Sequence, residues 1–193
     1  MLTVKVLQVI SSFPPAYSYG GALQVSYHIS KELVERGHEV TVFTTDVYDA
    51  NSRLAFEHNP EHMDGITVYH FRNLSNNLAS KNLSLAPTMP FALRKHIESF
   101  GIIHVGEYFS FQAVLVHHYA TKNGTPYVIQ PHGSLVRMID MQNLKRVPLN
   151  KNQPKKIFDV LFGHSMLKDA ARIISTSRIE SDHFRDGVCR FSI

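Results

Sequence analysis

Residues 4–44 read VKVLQVI-SSFPPAYSYGG-ALQVSYHISKELVER-GHEVTVFT, which predicts a strand, a long loop, a helix and a second strand. The loop ends in Gly20 and Gly21, at the predicted helix start. A helix N-terminus has unpaired backbone N–H groups and the positive end of the helix dipole, so glycines there let an anion approach closely. The unit is therefore typical of a site for a phosphate-bearing ligand, although a glycine pair can also serve only to relax a turn.

The same loop does not match the dinucleotide-binding fingerprint. The pattern G-x-G-x-x-G would need glycines at 20, 22 and 25, where the chain has Gly20, Ala22 and Val25. The loop thus argues against an NAD site.

Predicted strands and helices alternate along the rest of the chain. Strands are expected at 4–10, 39–44, 66–71, 102–105, 126–130 and 172–176, and helices at 21–36, 87–100, 111–123, 155–171 and 178–185. Ser110 is a predicted N-cap, and Ser177 with Glu180 forms a predicted capping box. Short apolar strands that alternate with helices predict an α/β fold with a doubly wound, mainly parallel, Rossmann-like sheet.

Helical periodicity predicts which helix faces meet this sheet. For the helix at 21–36 the inner face is expected to contain Ala22, Val25, Ile29 and Leu33. For the helix at 155–171 it is expected to contain Ile157, Val160, Leu161, Leu167 and Ala171, with His164 as a core residue on the same face.

The composition indicates one soluble globular domain. The chain has 193 residues, of which 44% are hydrophobic and 19% charged. No run approaches the roughly 20 apolar residues that span a membrane, and residues 4–10 lead into no signal-peptide cleavage site. The single cysteine, Cys189, excludes an intramolecular disulfide and fits a reducing compartment. We therefore expect a cytoplasmic protein, with a peripheral position at the inner membrane face as an alternative.

Two polar residues follow strands at the sheet edge where ligands bind in such folds. Glu107 follows the fourth predicted strand and could accept hydrogen bonds from substrate hydroxyls, or it could be an ordinary surface carboxylate. His132 follows the fifth strand and precedes Gly133. Its near-neutral pKa suits proton transfer or hydrogen bonding, although a lone histidine often only caps a strand end.

A cationic segment lies after this histidine and contains no acid. Its cations are Lys145, Arg146, Lys151, Lys155 and Lys156. The segment fits a solvated loop, a substrate that carries phosphate, or an anionic membrane surface. Nucleic acid is a poor fit, because the segment lacks interleaved aromatic residues.

Motifs for several other chemistries are missing from the sequence. It has no His-Glu-x-x-His, no paired cysteines and no Asp-x-Asp, so we expect no dedicated metal site. It also lacks a Gly-x-Ser-x-Gly elbow and a Walker loop, which leaves hydrolase and P-loop functions unsupported.

Five short motifs follow one another through almost the whole chain. They are FPP with GG at 13–15 and 20–21, GHEVTVFT at 37–44, IHV at 103–105 before Glu107, PYV at 126–128 with HG at 132–133, and ISTS at 174–177 with Glu180. In this order they resemble the N-terminal half of the group-1 nucleotide-sugar glycosyltransferases, which have the two-domain GT-B fold. Gly106 departs from the family pattern, in which the second histidine of His-x-His commonly stands at this position.

The resemblance implies that residues 1–193 form one half of a GT-B architecture, the acceptor-side domain. The C-terminal nucleotide-sugar domain is expected to lie outside these residues. By resemblance Gly20 and Gly21 would contact the donor diphosphate, and His132 would act in catalysis by hydrogen-bonding the transferred sugar or by positioning the acceptor. The acceptor side would also include Glu107, Gly133, Lys145 and Arg146.

The resulting hypothesis is transfer of a sugar from a nucleotide-diphosphate donor to a hydroxyl acceptor, with retention of anomeric configuration and without a metal or other cofactor. The acceptor could be lipid-linked or phosphate-linked. One alternative is a nicotinamide-dependent oxidoreductase or sugar epimerase, disfavoured by the missing fingerprint and by Thr44 and Thr45 where an acid would end the second strand. Another alternative is a non-catalytic module that binds phosphate or glycan.

Overall fold

A seven-stranded sheet organises the part of the chain that the structure, a computed structural model, describes: residues 2–55, 57–79, 83–134, 153–178 and 180–181. Its strands are β1 (Lys5–Val9), β2 (Glu39–Thr45), β3 (Glu61–Met63), β4 (Ile66–Phe71), β5 (Ile102–Val105), β6 (Tyr127–Ile129) and β7 (Arg172–Ile173). Their spatial order is β3-β4-β2-β1-β5-β6-β7. All neighbours pair in parallel except β3, which runs antiparallel to β4 at one edge.

The strand order places the ligand-binding edge of the sheet. With β3 set aside, the order is that of a doubly wound Rossmann-like sheet, which winds outward in both directions from β1. The winding direction changes between β1 and β5. Ligands of such sheets bind at the carboxyl ends of the strands at this switch point. The predicted fold class is confirmed.

The helices fall largely where the sequence places them. Within the described residues they are α1 (Gly21–Glu35), α2 (Asn76–Ala79), α3 (Met89–His96), α4 (Phe111–Asn123), α5 (Gln153–Phe158) and α6 (His164–Asp169), with 3₁₀ turns at Tyr17–Tyr19 and Ile97–Ser99. Ser110 caps α4 as predicted, since its hydroxyl accepts from the Ala113 N–H at 3.1 Å. The strand β3 and the helix α2 lie in stretches that sequence reasoning assigned to loops.

Buried apolar residues cover both faces of the sheet. One face packs on α3, α4 and α6 through Leu7, Val9, Phe43, Ile103, Val105, Tyr127, Ile129, Met89, Leu93, Val116 and Met166. The other face packs on α1 through Val6, Ile10, Val40, Val42, Ile66 and Val68, with Tyr27, Leu33 and Val34 from the helix. Helices on both faces explain why the central strands are mainly apolar on both sides.

The inner face of α1 differs from the prediction. Leu23, Ser26 and Ser30 are fully buried, whereas Val25 is 37% exposed. The Ser30 hydroxyl donates to Gln8 Oε1 of β1 at 2.7 Å. Small serines let the helix approach the sheet closely, and a hydrogen bond replaces the expected apolar contact.

The inner face predicted for 155–171 is also wrong in part. A π-helical turn at Asp159–Gly163 interrupts the helix, and its extra residue rotates the preceding positions away from the core. Val160 is therefore 81% exposed, and the side chains of Ile157 and Leu161 are exposed as well. Leu167 is buried as expected, while Ala171 and His164 are exposed rather than in the core.

Candidate functional site at the switch point

A serine–glutamate pair connects the two strand ends that flank the switch point. Ser11 follows β1 and Glu107 follows β5. The Ser11 hydroxyl donates to Glu107 Oε1 at 2.7 Å, and the Ser11 N–H donates to Oε2 at 3.3 Å. From β2, the Thr45 hydroxyl donates to the Ser11 carbonyl at 2.6 Å and fixes this segment. The Glu107 carboxylate is thus held in place by Ser11 at the ligand-binding edge and is not a free surface carboxylate.

The pKa of Glu107 reflects this position. Burial raises the pKa of the carboxyl above its ordinary 4.5, and the two hydrogen bonds from Ser11 work in the opposite direction. A carboxylate in such a partly desolvated position forms stronger hydrogen bonds with a hydroxyl donor than one in bulk water.

The glycine pair forms an open helix N-terminus. Gly20 has φ +90° and precedes α1, and no side chain caps the first turn. A Cβ at Gly20 or Gly21 would meet nothing within 4 Å, so the space above the backbone is empty in the described part of the chain. The predicted strand–loop–helix placement is confirmed, and diphosphate contact at this point stays a prediction.

His132 and Gly133 form a tight turn at the end of β6. Both have positive φ, +51° and +77°. The turn closes through Ser134, whose N–H and hydroxyl both bond to the Pro131 carbonyl, at 3.1 and 2.6 Å. The His132 ring is half-buried. Its Nε2 has no hydrogen-bond partner among the described residues, and burial lowers its pKa while the Glu180 carboxylate works in the opposite direction.

Glu180, which follows the neighbouring strand β7, holds this turn. Its Oε1 accepts from the Gly133 N–H at 2.8 Å, and its Oε2 accepts from the Thr176 N–H at 2.7 Å. The Glu180 N–H also donates to the Ser177 hydroxyl at 3.1 Å, which confirms half of the predicted capping box. The carboxylate does not bond back to Ser177, as the motif would require, because it joins the loops after β6 and β7.

A second histidine lies beneath the turn. His104 of β5 is buried on the same sheet face as Gln8, and neither of its ring nitrogens has a partner in the described part of the chain. The pKa of His104 is lowered from 6.5 to about 4, mainly by burial and to a smaller extent by His132, while the nearby Gln130 side chain works in the opposite direction. The two histidines therefore lie close enough to interact electrostatically.

The packing around Gly106 explains why this chain has a glycine where the family commonly has a histidine. A Cβ there would lie 2.9 Å from Ser26 Oγ and 3.0 Å from Ile10 Cδ1. Because α1 packs directly against this strand end, a histidine at position 106 has no space.

The structure thus brings together some of the predicted site residues. Glu107 and His132 lie at the ends of the adjacent strands β5 and β6, and Gly133 lies beside them. Lys145 and Arg146 lie outside the described residues, as does Lys151. Lys155 is described, and its ammonium lies 5.4 Å from the centre of the Phe109 ring. Among the described residues, no three metal-ligating side chains converge on one point.

Sequence reasoning missed four participants: Ser11, His104, Gln130 and Glu180. Glu180 was identified in the sequence only as part of a helix cap and of a family motif, whereas its contact with Gly133 joins residues 47 apart. The other three lie on or directly after strands, where a polar residue amid apolar neighbours was the available signal.

Comparison with known proteins identifies the family. A family model described as Glycosyltransferase Family 4 matches residues 19–191. The chain belongs to Glycosyltransferase Family 4. Among solved structures, this family 4 chain is similar to sucrose-phosphate synthase from Thermosynechococcus elongatus, with a TM-score of 0.59 and 15% sequence identity. The match covers 96% of this chain and 45% of the synthase chain. No curated protein matches the chain.

These findings confirm the predicted resemblance. The family 4 chain has the Rossmann-like fold of a GT-B glycosyltransferase domain, and it spans less than half the length of the synthase to which it is similar. Within the described residues, no helix combines the length and the apolar character needed to cross a bilayer.

Proposed function

We propose that this chain is the acceptor-side domain of a glycosyltransferase that moves a sugar from a nucleotide-diphosphate donor to a hydroxyl acceptor. The proposal is supported above all by the arrangement of Glu107 and His132 at adjacent strand ends, beside the switch point of a family 4 fold. Family membership favours this function over a nicotinamide-dependent oxidoreductase, as does the missing dinucleotide fingerprint.

His132 and Glu107 carry the proposed contacts with sugar hydroxyls. Burial lowers the pKa of His132, which favours the neutral ring that can both donate and accept a hydrogen bond. Glu107, oriented by Ser11, accepts a hydrogen bond from an acceptor hydroxyl. Gly133 is placed by the same turn as His132 and borders the acceptor.

The donor would lie across the cleft, with its diphosphate near the N-terminus of α1. Free N–H groups and the helix dipole there stabilise negative charge that grows on the leaving nucleoside diphosphate. Gly20 and Gly21 leave room for that approach. The nucleotide would be held by a second domain, and retention of anomeric configuration is part of the proposal by resemblance.

Ligand-dependent thermal stability tests this proposal on the natural full-length protein. We expect UDP, GDP or ADP to raise the melting temperature and NAD to leave it unchanged, because binding to the folded state stabilises it by mass action. A matched variant, Gly21→Glu, places a carboxylate at the N-terminus of α1 and should abolish the nucleotide effect without unfolding the chain. Stabilisation by NAD and by none of the nucleoside diphosphates would contradict the proposal.

Product analysis tests the reaction itself. Incubation with UDP-, GDP- or ADP-linked sugars and hydroxyl acceptors should release nucleoside diphosphate only when an acceptor is present. The anomeric configuration of the product, read by NMR, should match that of the donor. An inverted product would overturn the retaining part of the proposal.

A further inference from the structure

Glu180 is a buried carboxylate that joins two loops of the candidate site. Only 1% of its surface is exposed. It accepts hydrogen bonds from the Gly133 N–H at 2.8 Å, the Thr176 N–H at 2.7 Å and the Thr176 hydroxyl at 3.0 Å. We propose that Glu180 is the positioning residue of His132, because it fixes the His132–Gly133 turn to the loop that follows β7. Its consequence for sugar transfer rests on the proposed function.

The chemistry of these contacts requires a carboxylate. Both oxygens of Glu180 act as acceptors, one for each loop. A glutamine has one oxygen and one NH₂ group, so it would direct a donor at either Gly133 or Thr176. An aspartate keeps both oxygens but is one methylene shorter, and it cannot reach both loops from the same backbone position.

The turn needs such support because its backbone is unusual. His132 has φ +51°, in the left-handed region that residues with a Cβ seldom adopt, and Gly133 follows with φ +77°. Strained positions of this kind persist when surrounding contacts hold them in place. The bond to the Gly133 N–H immediately follows the strained residue, so it acts on the orientation of the His132 ring.

The charge of Glu180 acts on His132 as well. Among the described residues, two titratable groups interact with His132 from neighbouring elements: Glu180 after β7 and His104 on β5. Glu180 raises the pKa of His132 against the effect of burial, whereas His132 lowers the pKa of His104. Glu107 is engaged by Ser11. Glu180 thus contributes both geometry and charge to the histidine.

The variant Glu180→Gln tests the proposal in the full-length protein, and Ser177→Ala is the matched control. Ser177→Ala removes the bond to the Glu180 N–H, and hence a helix cap, but leaves the carboxylate contacts in place. Ring-labelled histidine followed by NMR against pH gives the titration of each imidazole, and the His132→Gln spectrum assigns His132. Hydrogen exchange of the Gly133 amide reports on the turn.

In Glu180→Gln we expect the His132 titration to move to lower pH and the Gly133 amide to exchange at least about tenfold faster. In Ser177→Ala both should match the unmodified protein. Unchanged titration and exchange in a folded Glu180→Gln variant would overturn the proposal, as would the same changes in Ser177→Ala. If Glu180→Gln does not fold, Glu180→Asp keeps the charge and shortens the reach, so unchanged Gly133 exchange there would overturn it.

Transfer kinetics complete the test. We expect Glu180→Gln to lower kcat at least tenfold with little change in the KM for the donor, since a positioning residue does not touch the nucleotide. Were the unmodified protein to transfer no sugar, the proposed function would fail, and the two NMR measurements would still decide whether Glu180 positions His132.

Discussion

His104 shows how one buried side chain makes the stability of the fold depend on pH. Its pKa is about 4 in the folded chain, against 6.5 in an unfolded one. As the pH falls from 6.5 towards 4, the unfolded chain binds a proton that the folded chain does not, so stability is lost in this window. Between pH 7.5 and pH 5 the loss is about 2 kcal/mol.

Replacing this histidine should remove that part of the pH dependence. Between pH 7.5 and pH 5, we expect the free energy of unfolding of His104→Leu to fall by about 2 kcal/mol less than that of the unmodified chain, measured by urea unfolding. Leucine has a similar size, and neither His104 nitrogen has a partner to lose among the described residues. Equal pH dependence in the two proteins would show that His104 titrates normally in the folded state.

His132 is the residue on which the proposed catalysis depends most. We expect His132→Ala to reduce transfer by the full-length protein about 10²- to 10³-fold, because one hydrogen-bond partner of the reacting sugar is lost. The exposed loop residue His58 offers a control, and His58→Ala should leave transfer unchanged. Normal transfer by a correctly folded His132→Ala protein would make His132 a structural strand cap.

At the scale of the element, the π-helical turn is held by a close contact with α4's entry loop. A Cβ on Gly163 would lie 1.9 Å from the Tyr108 hydroxyl oxygen. That hydroxyl donates to Asp159 Oδ1 at 3.2 Å, so the tyrosine, the aspartate and the glycine form one packed unit. The unit fixes the rotation of α5 relative to the core.

Gly163→Ala should therefore destabilise the chain by about 1–3 kcal/mol, the usual cost of overpacking. In a Tyr108→Phe background the cost should be smaller, because the hydroxyl that meets the new methyl group is gone. Gly21→Ala, which meets nothing within 4 Å at the start of α1, is the neutral control. Equal costs of Gly163→Ala in both backgrounds, measured by a double-mutant cycle, would argue against this contact.

Elements with strong local signals could be predicted from the sequence, and those shaped by distant contacts could not. Ser110 and Gly124 mark the ends of α4 because their side-chain and backbone preferences act within one turn. The strand β3 was missed because Glu61, His62 and Met63 show no apolar alternation, and β4 supplies their pairing. The π-helical turn and the buried serines of α1 were missed because both depend on the partner surface.

The candidate site also combines residues that local sequence signals reveal with contacts between residues far apart in sequence. Glu107 and His132 could be found because they directly follow predicted strands, and parallel strands bring their ends to one edge. Glu107 and its partner Ser11 are 96 positions apart in sequence, and Gly133 and its partner Glu180 are 47 positions apart. No local sequence pattern encodes contacts over such separations.

At the scale of the whole molecule, the proposed function makes this chain one wall of a cleft. It corresponds to 45% of the synthase chain that it resembles in fold. Transfer requires the donor diphosphate to be held while the acceptor hydroxyl is aligned, and one wall does not do both. We expect residues 1–193 alone to transfer no sugar in a product assay that detects the full-length protein. Measurable transfer by the 193 residues alone would contradict this division of labour.

An exposed apolar ridge on α5 and the π-helical turn bears on membrane contact. Ile157, Val160 and Leu161 are 57%, 81% and 62% exposed, and they stand beside Lys155 in the cationic segment. Apolar side chains next to cations suit an anionic headgroup surface, where each basic residue adds about 1 kcal/mol.

We expect the chain to co-sediment with anionic vesicles at low salt and to dissociate from them at high salt. It should not bind neutral vesicles. Val160→Asp and Lys155→Glu should each weaken binding several-fold, while Lys31→Glu on α1 serves as a charge-matched control. Absence of binding to anionic vesicles at low salt would identify the segment as a solvated loop, and a soluble phosphorylated acceptor would then need its own binding test.

Among the described residues, the two outermost strands of the sheet are β7, its shortest strand, and β3, its antiparallel strand. β7 has two residues and β3 three, and each carries a charged side chain, Arg172 and Glu61. A foreign strand that added to either edge would gain few backbone hydrogen bonds and would meet a charge. Aggregation by edge-to-edge pairing of sheets is therefore disfavoured at both edges. The longer strands β1 and β2, which would offer more backbone hydrogen bonds to a foreign strand, lie inside the sheet.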